Sequence, residues 1–268
     1  MSSLELTPDE LRDALETADL EVVGRMRYSS NATFLVEAKV DGVELAAIYK
    51  PRRGERPLWD FAQGTLCQRE VAAFELSDAL GWDIVPLTVL RDGPLGVGAV
   101  QRFVDHDPDE HFFTLRDDHE ARFREFAWFD VLANNTDRKG GHCLLDQAND
   151  LIVGIDHGLC FHEDYKLRTV IWEYAGERLP TEAADDVCRI IAELDEGPLH
   201  ERLTPLLDDD ELEAVGRRAQ VLLTRGLPLP GDWHSTPWPL VLATAPRRRT
   251  RVCVRALTCA CRRRCYRW

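Results

Sequence analysis

The stretch between Phe126 and His162 constrains the fold of this chain more than any other part of the sequence. It contains an apolar segment at helical spacing, then a polar loop, then two short apolar segments joined by a turn-like run. In order, these parts are 126–133, 134–142, 143–145 and 151–155. The pattern predicts a helix, a loop and a β-hairpin whose second strand runs directly into an acidic residue, Asp156.

Two carboxylates mark this stretch. Asp137 lies in the polar loop, and Asp156 follows nineteen positions later at the predicted strand end. A hairpin between them can carry both side chains to one side of the protein. Such a pair suits a site that orients a nucleophile and holds a divalent metal on a phosphate.

The same residues resemble the catalytic and metal-binding loops of the phosphatidylinositol 3- and 4-kinase-like branch of the protein-kinase fold. That family's first loop usually reads Asp-Arg-x-x-x-Asn, and its second has an apolar residue, Asp, any residue and Gly. Here Asp137, Arg138, Asp156 and Gly158 match. His142 stands where the family has its metal-binding asparagine, and Mg²⁺ prefers oxygen ligands to an imidazole nitrogen.

The resemblance covers the order of elements over residues 20 to 225 and implies an α+β, two-lobed protein-kinase-like fold. A small antiparallel β lobe with one main helix is expected over 1–104. A mostly helical large lobe with the catalytic and metal loops is expected over 105–230. Residues 231–268 are predicted to be a disordered tail.

Apolar residues alternate in the first part of the chain and predict antiparallel strands at 21–28, 32–38 and 43–49. Asp41-Gly42 is typical of a hairpin turn between the last two. Ser29 and Ser30 stand where kinases place a loop over the nucleotide phosphates. The loop lacks glycine, so an ordinary polar turn is the alternative.

Lys50 follows the third predicted strand and is one of only four lysines, against 29 arginines. The resemblance assigns Lys50 to the phosphates of ATP; a solvated strand-end lysine is the alternative. A kinase-like site also needs a carboxylate that holds this lysine. On the helix predicted at 65–80, Glu70 is the candidate and Glu75 the second choice.

A further strand pair is predicted at 84–90 and 97–104. By order alone, residues 100–104 correspond to the hinge of a kinase, where backbone groups bind the nucleobase. Gln101 and Phe103 are therefore predicted nucleotide-binding residues.

The resemblance gives each residue of the central loops a role. Asp137 orients or accepts the proton of the attacking hydroxyl, Arg138 completes the catalytic motif, and Lys139 stabilises the transferred phosphoryl group. Asp156 binds Mg²⁺, with His142 as a second metal ligand or a partner of Asp137. The implied activity is an ATP- and Mg²⁺-dependent phosphotransferase with a protein, lipid or small-molecule hydroxyl acceptor.

Several other interpretations compete with this one. A nucleotide-binding pseudokinase or regulatory module is the main rival, because His142 alters the metal site. A cysteine nucleophile at Cys143 or Cys160 conflicts with the apolar surroundings of both residues. A metal hydrolase would use four residues: His142, Asp156, His157 and His162. In the purely structural interpretation, the two loops are ordinary turns.

Amphipathic patterns predict helices at 181–194, 199–206 and 208–227, with Thr181 and Asp208 as N-caps. Near the start of the chain, Thr7-Pro8-Asp9-Glu10 predicts a capped short helix.

Charge narrows the range of partners. The formal net charge is −14, yet residues 247–268 contain nine arginines and no acid. Removing those nine charges leaves −23 for residues 1–246, which disfavours nucleic acid and anionic lipid head groups. No secretory signal and no transmembrane run is evident, so a cytoplasmic protein is expected.

The last part of the chain changes character, with Trp233 and Trp238 among prolines and an Arg-rich end. Four cysteines lie there with spacings that match no common zinc pattern: Cys253, Cys259, Cys261 and Cys265. A metal knuckle and a latch onto the acidic body are the alternatives to disorder.

Overall fold

The computed structural model divides the chain into two compact units. The residues that it describes are 6–26, 29, 31–40, 43–231, 235–238, 240, 251–252 and 266–267. The first unit contains Met1–Arg56 and Val89–Phe103, and the second contains Pro57–Thr88 and Val104–Leu242. Within the described part of the chain, every helix is too short or too polar to cross a lipid bilayer.

A five-stranded sheet in the order β1-β2-β3-β5-β4 is the basis of the first unit. The strands are Asp19–Arg25 (β1), Phe34–Val40 (β2), Val43–Pro51 (β3), Thr88–Gly93 (β4) and Gly96–Arg102 (β5). The pairs β1–β2, β2–β3 and β3–β5 are antiparallel. The three predicted antiparallel strands are therefore confirmed; Asp41 and Gly42, the predicted turn, lie outside the described residues.

Side-chain alternation explains the register of the sheet. In β3, Ala47 and Tyr49 are fully buried, whereas Ala46 and Ile48 are partly exposed. Lys50 follows Tyr49 and pairs with Ala99 of β5. The period of two thus fixes which strand residues form the core of this unit.

Helix α1 (Pro8–Thr17) packs beside this sheet and begins as predicted. The side chain of Thr7 accepts a hydrogen bond from the Glu10 amide, and Glu10 caps the Thr7 amide in return. At the other end, the guanidinium of Arg91 in β4 donates to the carbonyls of Leu15 and Ala18 at 3.0 and 2.8 Å. These bonds satisfy carbonyls that a helix end leaves without intrahelical partners.

One strand prediction was wrong at its start: β4 begins at Thr88, not at residue 84. The hydroxyl of Ser77 accepts hydrogen bonds from the backbone amides of Ile84 and Val85, at 2.8 and 3.1 Å. These two amides are therefore not available for hydrogen bonds to a neighbouring strand. Pro86 has no amide hydrogen to donate. The first part of the apolar run is therefore bound to the Ser77 side chain of α2 instead of extending the strand.

The second unit is mainly helical, so the chain is an α+β protein. Its helices are α2 (Leu66–Leu80), α3 (Phe112–Leu115), α4 (Glu120–Ala133), α5 (Thr181–Asp195), α6 (Pro198–Leu203) and α7 (Asp209–Arg225). Its hairpin pairs β6 (Cys143–Asp146) with β7 (Leu151–Gly154), antiparallel, as predicted. All residues of α4 from Phe126 to Ala133 are buried, which is the pattern of a central core helix.

Of the N-caps predicted for helices α5 and α7, the structure confirms the one for α7 and not the one for α5. Asp208 is the N-cap of α7 and forms a reciprocal capping box with Glu211, as expected. The cap predicted at Thr181 was wrong, because Thr181 is the first helical residue of α5 and Pro180 is the N-cap, without a side-chain bond.

Two short strands are described near the chain end, β8 (Arg251–Val252) and β9 (Tyr266–Arg267), and they pair antiparallel. The tail cysteines lie outside the described residues, as does Trp233. The metal-knuckle and latch interpretations therefore remain predictions.

Candidate active site

Asn134 ends helix α4 and anchors a distant segment. It adopts the left-handed conformation with φ +49°, which asparagine tolerates better than most residues. Its amide nitrogen donates to the carbonyls of His162 and Asp164 at 2.9 and 2.6 Å. Its amide oxygen accepts the backbone N–H of Lys166 at 2.9 Å. The helix end therefore fixes both the polar loop 134–142 and residues 162–166.

Asn135 fixes the backbone of the next acidic residue. Its side-chain oxygen accepts the amide of Asp137 at 3.0 Å, and its nitrogen donates to Asp130 at 3.0 Å. A side-chain bond to the amide two residues on is the usual Asx turn. Asn135 thus ties Asp137 to the core helix α4.

Arg138 points away from solvent and is fully buried. Its guanidinium forms an ion pair with Asp130 at 2.9 Å, and both side chains have zero exposure. The same guanidinium nitrogen, Nη2, also lies 2.7 Å from Nε2 of His157. Burial by itself disfavours the charged form, but the Asp130 carboxylate raises the pKa of Arg138 above its ordinary value. Arg138 therefore connects the polar loop 134–142 to the residues that follow Asp156.

Backbone hydrogen bonds join the same two loops directly. The amide and hydroxyl of Thr136 both donate to the carbonyl of Leu159, at 3.1 and 2.8 Å. The amide of Ile155 donates to the carbonyl of His142 at 3.0 Å. With Arg138, these contacts hold Asp137 and Asp156 at a fixed separation.

The structure brings Asp137, His142 and Asp156 together. One ligand atom of each lies within 4.8 Å of the others, and His142 Nε2 is 3.5 Å from a carboxylate oxygen of Asp156. His142 is buried, Asp137 is partly buried, and the Asp156 side chain is half exposed. Asp156 has φ +63°, a strained conformation that is typical of functional sites.

Lys139 contacts the carboxylate of Asp137, with 2.5 Å between Nζ and Oδ2. Burial raises the pKa of Asp137, and the charge of Asp156 acts in the same direction, while Lys139 and Arg168 lower it. The net direction is upward. A carboxylate of raised pKa is a stronger base when ionised, which suits a group that receives a hydroxyl proton.

The two glutamates considered on α2 have different surroundings. Glu70 is buried, and its carboxylate accepts the amide of His157 at 3.0 Å. A Cβ on Gly158 would lie 3.3 Å from the same carboxylate, so glycine allows this close packing. Glu75 instead pairs with Arg202 at 2.9 Å. Of the two, Glu70 is the one that supports the Asp156 loop.

The predicted nucleotide-binding residues other than Glu70 belong to the first unit. Lys50 is half-buried in β3, and Gln101 is buried in β5. The Phe103 amide donates to the Ala46 carbonyl at 3.2 Å. The Ser29 hydroxyl lies 2.7 Å from that of Thr33. Ser30 lies outside the described residues.

The cysteine-nucleophile and metal-hydrolase interpretations gain no support. Burial raises the pKa of Cys143 to about 12 and the pKa of Cys160 well above its usual value, so both remain thiols. His157 packs against Phe129, and His162 Nε2 lies 2.7 Å from the amine of Lys166. Neither histidine joins the metal-ligand cluster found among the described residues.

Sequence reasoning missed Asp130, Asn134 and Asn135 as supports of the site. The signal for Asp130 was present, because it is an acid in the otherwise apolar stretch 126–133 and lies eight residues before Arg138. A charge in a fully buried stretch needs a partner. The partner itself could not be chosen without the structure.

Similarity to the Golgi casein kinase structure shows that this is a protein-kinase-like fold. A crystal structure of the Golgi casein kinase with Mn/ADP bound matches with a TM-score of 0.56 and 17% identity, over 81% of this chain and 75% of that one. The Helicobacter pylori proinflammatory kinase CtkA matches with a TM-score of 0.49 and 12% identity, over 79% and 94% of the respective chains.

Sequence comparisons identify the family. The family described as phosphatidylinositol 3- and 4-kinase matches residues 92–204, which include both loops of the site. Protein Rv2133c of Mycobacterium tuberculosis is 39% identical, over 86% of this chain and 95% of its own length. The chain belongs to the bacterial phosphatidylinositol 3-/4-kinase-like family.

Proposed function

We propose that the chain is a phosphotransferase that transfers the γ-phosphoryl group of ATP to a hydroxyl acceptor with the help of a divalent cation. The observation that carries the proposal is the cluster of Asp137, His142 and Asp156, built from a helix-end loop and a strand end. Family membership and the kinase-like fold support it. The Golgi casein kinase, which has a similar fold, binds Mn/ADP in its crystal structure, and this supports the proposal further.

The donor atoms of the cluster fit a divalent cation. Asp156 and His142 would hold it, and Asp137 lies within reach. The bound cation would neutralise phosphate charge during transfer. Mg²⁺ prefers oxygen ligands, whereas imidazole suits transition metals. The donor set therefore favours Mn²⁺ over the Mg²⁺ that the family resemblance implies.

The other residues act by positioning and charge. Asp137 receives the hydroxyl proton. The amine of Lys139, 2.5 Å from the Asp137 carboxylate, stabilises negative charge next to that carboxylate. Arg138 is assigned a positioning role, because its guanidinium is occupied by Asp130. Phosphoryl transfer depends mainly on such placement.

The resemblance assigns the remaining predicted residues to the nucleotide. Lys50 with Glu70 would bind the phosphates, Ser29 and Ser30 would cover them, and Gln101 and Phe103 would bind the base. These roles remain predictions.

Calorimetry with ADP and Mn²⁺ or Mg²⁺ tests the site. Asp156→Asn keeps the side-chain shape and tolerates the left-handed backbone but removes the charge. Asp150→Asn is a matched control, because Asp150 is also left-handed, with φ +52°, and exposed in the β6–β7 turn. We expect Asp156→Asn and Lys50→Met to weaken metal–nucleotide binding about tenfold or more, since each removes a charged contact, and Asp150→Asn to leave it unchanged.

Unchanged affinity in both Asp156→Asn and Lys50→Met would rule out this site. A separate outcome identifies the rival function. If the wild type binds the metal–nucleotide complex but transfers no phosphate to water, protein, lipid or small molecules, the chain is a nucleotide-binding pseudokinase.

A further inference from the structure

A cavity of about 690 Å³ adjoins Asp137 in the second unit. Its described walls come from four parts of the chain: 58–61, 136–137, 159–172, and 228–231 with Ser235. The lining reaches Asp137, but His142 and Asp156 are not among the described residues that form it. A molecule in this cavity would therefore approach Asp137 without displacing the other two metal-ligand candidates. The volume is in the range of pockets for small molecules.

Large apolar side chains are exposed at this cavity. Trp59, Tyr165 and Leu229 are 92%, 58% and 73% exposed, and all three line it. Phe61 and Trp172 add aromatic surface to the same lining. Exposed apolar groups that converge on one cavity indicate a binding site. Aromatic rings offer flat apolar faces to a ring-shaped ligand.

The charges around the cavity leave an arginine available to a ligand. Lys166 pairs with Asp60 at 3.0 Å and lies 5.2 Å above the ring of Trp59. Asp137 pairs with Lys139. Arg168 also lines the cavity, is exposed, and has no ion-pair partner among the described residues. In a chain with a net charge of −14, this local positive charge suits an anionic group on a ligand.

We propose that the cavity binds the phosphoryl acceptor, and that the acceptor is a small alcohol with a ring-shaped apolar face and an anionic group bound by Arg168. This proposal rests on the proposed phosphotransferase function and specifies its substrate class. The aromatic lining would hold the ring, Arg168 would fix its orientation, and the hydroxyl would point to Asp137.

The transfer step forms one bond to phosphorus and breaks another. The acceptor oxygen forms a bond to the γ-phosphorus of ATP, and the bond from that phosphorus to the bridging oxygen of ADP breaks. ADP leaves with the electron pair, and the acceptor's hydroxyl proton passes to Asp137. The products are the phosphorylated alcohol, ADP and a proton.

In the test, the purified protein is incubated with Mn²⁺, ATP labelled in its γ-phosphoryl group and fractions of a mycobacterial extract. A mycobacterial extract is used because the 39% identical relative comes from Mycobacterium tuberculosis. The fractions are protein, lipid, and a small-molecule filtrate divided on an anion exchanger into retained and unretained pools. We expect label in the retained pool. Phosphatase treatment of that pool before the reaction distinguishes an acceptor phosphate from a carboxylate.

Two variants connect the acceptor to the cavity. We expect Arg168→Gln and Trp59→Ala to raise the KM of the retained pool's acceptor about tenfold or more, because each loses a charged or stacking contact. Both side chains are exposed, so their removal does not threaten folding. Arg178→Gln is the control, because Arg178 is exposed in the same unit but does not line the cavity.

Label in the protein, lipid or unretained pool alone would overturn the proposed acceptor class, as would an unchanged KM in both cavity variants. Absence of label from every fraction would also overturn it when the wild type still binds Mn²⁺ and ADP. Absence of that binding would instead overturn the proposed function.

Discussion

His142 supplies an imidazole where the family's loop has an asparagine oxygen. Because nitrogen ligands favour transition metals, we expect His142→Asn to shift the ratio of Mn²⁺ to Mg²⁺ affinity toward Mg²⁺ on the order of tenfold. Titration of Mn²⁺ by electron paramagnetic resonance, with Mg²⁺ as competitor, measures this ratio without any turnover. An unchanged ratio would show that His142 is not a metal ligand.

Arg138 and Asp130 form a fully buried ion pair at 2.9 Å. Arg138→Met leaves the Asp130 carboxylate buried without its charged partner, so we expect the free energy of unfolding to fall by about 3–5 kcal/mol. Chemical denaturation measures the loss.

The control for this change is Arg217→Met, whose salt bridge with Glu213 is on the surface of α7. An exposed pair of this kind contributes about 0.3–0.5 kcal/mol. Equal losses in the two variants would contradict the assigned role of Arg138 as the buried link between the loops.

At the level of elements, the start of α7 depends on one side chain and the start of α5 does not. Asp208 accepts the Glu211 amide at 2.9 Å, whereas Thr181 lies one position inside its helix. We expect Asp208→Ala to lower the free energy of unfolding by about 1 kcal/mol and Thr181→Ala to change it by only a few tenths. Thermal or urea unfolding measures both, and a larger loss in Thr181→Ala would contradict the observed cap.

Helix α4 shows how one element can organise a site. Its buried face holds the Asp130 carboxylate, and its last turn continues into Asn134 and Asn135. These three residues connect to Arg138, Asp137 and the segment after the second loop. The site is therefore built on a rigid core helix, with only short loops beyond it.

At the level of the whole molecule, we expect the free energy of unfolding to fall at high pH because of two buried thiols. Burial raises the pKa of Cys143 to about 12, and that of Cys160 also rises. A raised pKa favours the neutral thiol in the folded state, so the stabilisation is present below the unfolded pKa of about 8.5 and is lost as pH rises toward 12. We expect a loss on the order of 2 kcal/mol from Cys143 by pH 10.5, and a further loss in the same direction from Cys160.

Urea unfolding at pH 8 and pH 10.5 measures this loss. The double variant Cys143→Ala/Cys160→Ala should show less pH dependence. Cys188→Ser is the control, because Cys188 is exposed. The same pH dependence in the double variant and the wild type would show that other groups cause it.

Much of the fold was determined by the sequence itself. Alternating apolar residues gave the antiparallel strands, and helical spacing followed by polar loops gave the helices of the second unit. These signals are local, because each depends on residues a few positions apart. The meeting of Asp137 and Asp156 was also predictable, since one short hairpin connects them.

Only the tertiary structure decided which distant groups meet. It paired Arg138 with Asp130 and put Glu70 rather than Glu75 against the loop after Asp156. It also assembled the cavity wall from four separate parts of the chain. Burial and pairing depend on neighbours far along the chain, which no local pattern specifies. The sequence thus determined the elements and the acidic loops, whereas packing decided what supports them and which ligand could lie beside them.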